Sequence, residues 1–175
     1  MLETERLTIR RFTQDDAPFV YALYNDPDFL RYIGDRGVHS IDDARAYIEA
    51  GPIASYQRYG FGLYVVELKP NGEPIGVCGI LKRDALDAPD LGFAFLREHR
   101  SRGYAGEAAR SVLAFAHDAL GLTRILAITS PDNAVSMAVL RKLGFTLERV
   151  DPGSAGTTTG FTSPVHVFRL MPAAP

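Results

Sequence analysis

The run Arg100-Ser101-Arg102-Gly103-Tyr104-Ala105-Gly106-Glu107-Ala108 carries the residue types best suited to holding an anion. Small side chains at 103, 105, 106, 108 and 109 let another molecule come close to the backbone, and Arg100 and Arg102 stand beside them. The segment follows a strand-like stretch, Asp90 to Leu96, and opens a periodic helix. The first amides of a helix have no internal partner and sit at the positive end of its dipole. A strand, a small-residue turn with basic flanks and a helix start together suit a phosphate group. The competing reading is a tight turn with solvated arginines. The run does not end in the Gly-Lys-Ser/Thr of a nucleoside-triphosphate loop, and Ser101 stands where a dinucleotide fingerprint needs its first glycine.

The elements that must position this run alternate between strand and helix. Leu7 and Ile9, then Phe12, mark a first strand and its exit; Thr13 with Asp16 predicts a helix start, and Asn25-Asp26-Pro27 ends that helix near Tyr24. Ser40 with Asp43 starts a second helix running to about Arg58. Phe61 to Leu68 and Glu73 to Leu81 read as strands joined by the turn Pro70-Asn71-Gly72. After the strand Asp90 to Leu96, Ala105, Ala108, Ala109, Val112, Leu113, Ala116 and Leu120 share one helix face, and Gly121 stops it. Further strands are expected at Arg124 to Thr129, Phe145 to Val150 and Val165 to Leu170. Between the last two, the Gly/Ser/Thr-rich run Asp151 to Pro164 reads equally as a flap over a substrate or as a plain loop.

Composition bounds the class. The chain has 175 residues, 46% of them hydrophobic and 23% charged, which fits one soluble globular domain spanning 1–175. A net charge of −2 argues against a nucleic-acid partner, which would call for a basic stripe. Cys78 is the single cysteine, so no intrachain disulfide forms, and the four histidines lack ligand spacing, so no metal is expected. The opening residues do not resemble a secretory signal and no apolar run is long enough for a bilayer, so no membrane role is expected and the cytoplasm is the default. Either a monomer or a homodimer is compatible with the sequence.

Several motifs in order carry a more specific resemblance. Arg/x/x/Gly/x/Ala at 100–105 is followed by a helix, a strand, Asn133-x-x-Ser136 at a helix start, and Lys142-Leu143-Gly144-Phe145. With Thr4-Glu5-Arg6-Leu7-Thr8-Ile9-Arg10, Ile75-Gly76-Val77-Cys78-Gly79 and Asp90-Leu91-Gly92-Phe93, this order resembles the GNAT superfamily of N-acetyltransferases. The resemblance is to its ribosomal-protein N-terminal-alanine acetyltransferase branch and covers residues 2 to 170 approximately. It implies an α/β (α+β) acyl-CoA N-acyltransferase fold, a mixed and mostly antiparallel sheet flanked by helices. It also implies acetyl-CoA as co-substrate and an amine acceptor, either a protein N-terminus or a small molecule such as a polyamine, an amino acid derivative or an antibiotic. A different class, a non-catalytic module that binds coenzyme A as a sensor, also stays open.

Transfer from a thioester needs an uncharged amine, a donor for the developing oxyanion and a proton for the leaving thiolate. The resemblance assigns the diphosphate to the amides of Arg102, Gly103, Tyr104, Ala105 and Gly106, with Arg100 beside them. It assigns the oxyanion to a backbone N–H at Phe95 or Leu96. Asn133 is carried over as a cofactor contact; capping the helix that it precedes is a compatible second role. Many superfamily members place a tyrosine where this chain has Leu140, which has no proton to give. The branch's alternative is Ser136, against the plain reading of a helix serine. Asp90 matches the position of a family glutamate and is the candidate base, against the reading of an exposed strand-end charge. Glu107 is taken as structural, His99 as solvent-facing and Cys78 as core. Asp26, Asp28, Asp35 and Asp42-Asp43 hint at an acidic acceptor pocket or are turn and cap residues.

Overall fold

A computed structural model describes residues 1–84, 86–153 and 163–170. Its strands are β1 (Leu2–Glu3), β2 (Leu7–Arg10), β3 (Leu63–Leu68), β4 (Glu73–Leu81), β5 (Asp90–Phe95), β6 (Ile125–Thr129), β7 (Thr146–Asp151) and β8 (Val165–Leu170). They form one sheet in the order β1-β2-β3-β4-β5-β6-β8-β7, antiparallel throughout except where β5 meets β6. Helices α1 (Ala17–Tyr24), α2 (Pro27–Tyr32), α3 (Ile41–Ile48) and α4 (Ala54–Tyr59) come first in the chain. Helix α5 (Tyr104–Asp118) links β5 to β6, and α6 (Ala134–Lys142) links β6 to β7. This is the mixed, mostly antiparallel sheet with flanking helices that the motifs imply.

Strand alternation builds a core on each face. Val65 and Val77 face α1, α2 and α3, where Phe19, Val20, Leu23, Phe29 and Ile48 are buried. Their neighbours Val66 and Cys78 face the other way, against Ala108, Ala109, Val112 and Ala116 of α5. The alanines let α5 lie close to the sheet, which fixes its first turn relative to the end of β5. Its far end closes as expected: Gly121 takes φ +64°, its N–H donates to His117 O at 3.1 Å, and Leu122 N–H donates to Ala116 O at 3.0 Å.

Two expectations about helices change. Asn25-Asp26-Pro27 does end α1, but it also starts α2, because Asp26 accepts from the Asp28 and Phe29 amides and Pro27 occupies the first helical position. The helix expected from Ser40 to about Arg58 is divided into α3 and α4 by a π-helical segment, Glu49–Ile53. Pro52 lies inside that segment; it has no N–H and its ring clashes with the carbonyl four residues back, so the wider turn accommodates it. The expected flap, Asp151 to Pro164, falls largely on 154–162, outside the described residues.

Candidate active site

The site begins where β5 and β6 part. These parallel strands pair only at Asp90↔Leu126 and Leu91↔Ala127, and beyond Leu91 they separate. On its other side β5 stays in register with β4 up to Gly76↔Phe95, and the Leu96 N–H donates to the Ile75 carbonyl at 2.9 Å. Antiparallel pairs alternate between bonded and non-bonded, so if Leu96 faces β4, Phe95 and Phe93 present their amides to the gap. This corrects one assignment. The Leu96 amide is engaged within the sheet, whereas those of Phe95 and Phe93 face the opening. The resemblance implies the whole edge Phe93-Ala94-Phe95-Leu96 as the partner of the cofactor's arm; sequence gives its alternation but not which parity faces the gap.

The gap leads to the start of α5. Gly103 precedes the helix with φ +83° and Ser101 has φ +59°, a left-handed pair of turns that swings the chain from β5 into α5. The first intrahelical bond is Glu107 N–H to Gly103 O at 3.1 Å, so the amides of Tyr104, Ala105 and Gly106 precede the ladder. Behind them Glu107 accepts from Thr4 Oγ1 at 2.6 Å, Arg6 N–H at 3.0 Å and Arg6 Nε at 2.7 Å. Arg6 also donates to the Arg102 carbonyl at 3.0 Å and lies 4.5 Å over the Tyr104 ring. Burial alone would raise the Glu107 carboxyl, but the bonds from Thr4 and Arg6 outweigh it and the net shift is down. Glu107 is structural, as expected. Its partners Thr4 and Arg6 were read only as part of a strand motif, since a contact spanning a hundred residues leaves no local signal.

Arg100 departs from its assignment as a cofactor residue. Its Nε donates to the Phe95 carbonyl at 2.7 Å, one terminal nitrogen reaches Asp26 at 2.8 Å, and the other pairs with Asp28. The guanidinium therefore pins the end of β5 to the start of α2, an element absent from the sequence reading. Arg102 keeps an exposed side chain beside the loop. Asp26 and Asp28 are thus a cap and an ion pair; Asp42 pairs with Arg45 at 3.0 Å, Asp43 accepts from Ser40 Oγ at 2.8 Å, and Asp35 accepts from the Gly37 amide at 2.7 Å. None of these acids is among the described residues that line the cavity at the strand gap.

A cavity of about 330 Å³ occupies the region of the strand gap and brings Asp90, Phe93, Thr129, Ser136 and Leu140 to one wall system. Asp90 is not an exposed strand end: it is 2% exposed, and both its oxygens accept from Arg83 Nε, at 2.9 and 3.1 Å. Burial pushes its carboxyl up, against the opposing pull of Arg83. Asn133 caps α6 by accepting from the Ser136 amide at 3.0 Å, and Ser136, in the first turn of that helix, lines the cavity. Leu140 is buried in the core. His99 is buried rather than solvent-facing, with Nε2 at 3.4 Å from Glu73 and Nδ1 without a partner among the described residues. Cys78 is buried, and that burial pushes its thiol up, as befits a core residue.

This sheet, with a parallel pair splayed above a helix start rich in free amides, defines a class that the family comparison names. Residues 6–146 match the acetyltransferase (GNAT) domain, and the chain belongs to that family. It is an N-acetyltransferase enzyme by that membership. Among relatives, it is 32% identical over 152 residues to YoaA, an uncharacterized N-acetyltransferase of Bacillus subtilis, covering 86% of this chain and 85% of the relative. Among solved structures, an acetyltransferase from Agrobacterium tumefaciens str. C58 is 29% identical with a TM-score of 0.78, over 97% of this chain and 92% of that one. The ribosomal L7/L12 α-N-protein acetyltransferase RimL, in complex with coenzyme A, shares the fold with a TM-score of 0.82 at 19% identity, over 98% and 97% of the two chains.

Proposed function

We propose that the protein moves the acetyl group of acetyl-CoA to a primary amine, with the α-amino group of a protein N-terminus as the leading acceptor. The observation that carries the reading is the parting of β5 from β6 beyond Leu91, which leaves backbone donors facing a cavity that also contains Asp90 and Ser136. The donor set fits the cofactor. The amides of Tyr104, Ala105 and Gly106 precede the helical ladder, and Gly106 needs its small size for no internal reason, since an added Cβ would meet only Arg110 Nη1 at 3.5 Å. Family membership and the coenzyme A in the RimL structure support acetyl-CoA; the name of RimL supports an α-amine.

Bound there, acetyl-CoA supplies an activated acetyl thioester. The chain's own groups do the rest. The α5 amides and Arg102 hold the diphosphate, while the Phe93 and Phe95 edge pairs with the pantetheine amides and donates to the carbonyl oxygen as charge develops on it. An α-amine titrates near 7.7–8.0, so it needs less help than a lysine to become nucleophilic. Asp90, raised by burial, accepts the amine's proton directly or through water. As the new C–N bond forms and the C–S bond breaks, Ser136 hydrogen-bonds the sulfur that leaves. Leu140 cannot do so.

The test is thiol release from acetyl-CoA with a panel of peptides and small amines, read with mass spectrometry of the product. Acetylated α-amines with stoichiometric thiol are expected. Acetylation confined to lysine side chains, or cofactor binding with no thiol release, would sink the proposal.

A further inference from the structure

The cavity that contains Asp90 and Ser136 has a cationic wall. Arg31, Arg36 and Arg83 all line it, and Asp90 is the one carboxylate among its described lining residues. Two of these arginines already have acids. Arg83 holds Asp90, and Arg31 reaches Asp132 at 2.9 Å through an exposed pair. Arg36 forms no ion pair among the described residues; its Nη2 donates to the Ile33 carbonyl at 3.3 Å. The adjacent Asp35 is turned to the Gly37 amide at 2.7 Å, with His39 Nε2 at 3.5 Å.

A guanidinium stays charged at any physiological pH and offers a planar fork of donors matched to a carboxylate. At the rim of a cavity where an amine must dock, that unbalanced charge repels cationic acceptors and attracts anionic ones. We propose that the acceptor is an amine that also carries a carboxylate, and that Arg36 is the residue that selects it. This rests on the acetyl-transfer reading and narrows its substrate class. The carboxylate belongs either to a free amino acid or to an acidic side chain near a peptide's N-terminus. The bond changes are those of the transfer itself: the carboxylate is bound and not consumed.

The experiment measures thiol release from acetyl-CoA with two sets of probes. One set is peptides identical except for Asp, Asn or Lys at the second position; the other is free glutamine, which carries an α-carboxylate, with glutamine amide as its neutral partner and lysine amide as the basic one. The carboxylate-bearing member of at least one set is expected to exceed its neutral partner in kcat/KM by roughly ten- to a hundred-fold, mostly through KM. Whichever set shows the preference identifies the source. Arg36→Gln should remove the preference and Arg36→Glu should turn it toward the lysine-bearing probe. Arg36 is exposed in a loop, so circular dichroism of both variants is expected to match the parent protein. Equal use of acidic, neutral and basic probes, or an acidic preference that survives Arg36→Glu, overturns this inference alone. No transfer to any amine overturns the reading beneath it as well.

Discussion

Gly103 and Gly106 look alike in the sequence yet do different things. Gly103 takes φ +83°, a conformation that costs other L-residues about 1–2 kcal/mol, so any substitution there mixes backbone strain with loss of the ligand. Gly106 is helical and has room for a side chain, which makes it the cleaner probe. Gly106→Glu puts an acid in the first turn of α5, where dipole and propensity both favour it, and points negative charge at the diphosphate. The expected outcome is an unchanged or raised Tm with coenzyme A affinity lowered by about tenfold or more, measured by calorimetry. Asp90 offers a second test through pH. Its carboxyl is shifted up by burial, so its base form is lost at a higher pH than an ordinary aspartate's as acid is added. Below the limb that the acceptor amine itself sets near pH ~7.7–8.0, the kcat/KM profile is expected to show a second acid limb above pH ~3.9, and Asp90→Asn should remove that lower limb together with most of the rate. An identical limb in the variant would assign the base elsewhere.

At the scale of elements, the first turn of α5 is held by its neighbours as much as by its own sequence. Thr4 and Arg6, just ahead of β2, tie down Glu107 and the Arg102 carbonyl, while Arg100 ties the end of β5 to α2. These are positioning contacts. Arg6→Ala is expected to cost at most about 1 kcal/mol of stability, since Arg6 is 43% exposed, but to weaken coenzyme A binding several-fold. Calorimetry beside a thermal melt separates the two effects, and unchanged affinity would remove Arg6 from the brace. The unforeseen α2 shows how a local signal can be legible and still be taken only half-way. Asp26-Pro27 is both a helix stop and a helix start, and Arg100, 74 residues along the chain, pairs with the capping Asp26.

For the whole molecule, acid sensitivity follows from where carboxylates are paired. Burial alone would raise Asp16 and Asp26, but Arg10 and the Thr13 amide hold the first, and Arg100 with the Asp28 amide the second, below the ordinary aspartate value. Groups with a depressed folded pKa add stability above the unfolded pKa, near 3.9, and lose it as pH falls through the folded one. Urea midpoints are therefore expected to drop steeply below about pH 4. Asp16→Asn should lower stability at pH 7 and flatten that drop; a parallel curve would mean that Arg10 and Asp16 contribute nothing across the transition. Among the described residues no helix is long and apolar enough to cross a membrane.

The sequence by itself determined most of the elements and their order, because periodicity, caps and turn residues are local; α2 and the π-helical break between α3 and α4 were the exceptions. The alanine face of α5, the stop at Gly121, the cap at Asn133 and the small-residue turn at Gly103 all sit where their neighbours in the chain require. The family resemblance was legible for the same reason, being an order of short motifs. Tertiary structure alone decided which amides of β5 face the gap, that Arg100 turns inward, that the acids of residues 26–43 serve caps and pairs, and that Arg36 lies beside the cavity with no ion pair among the described residues. Each of these depends on a partner tens of residues distant or on the parity of a strand against its neighbour. Charge balance and backbone exposure are sums over space, and chain order does not fix them.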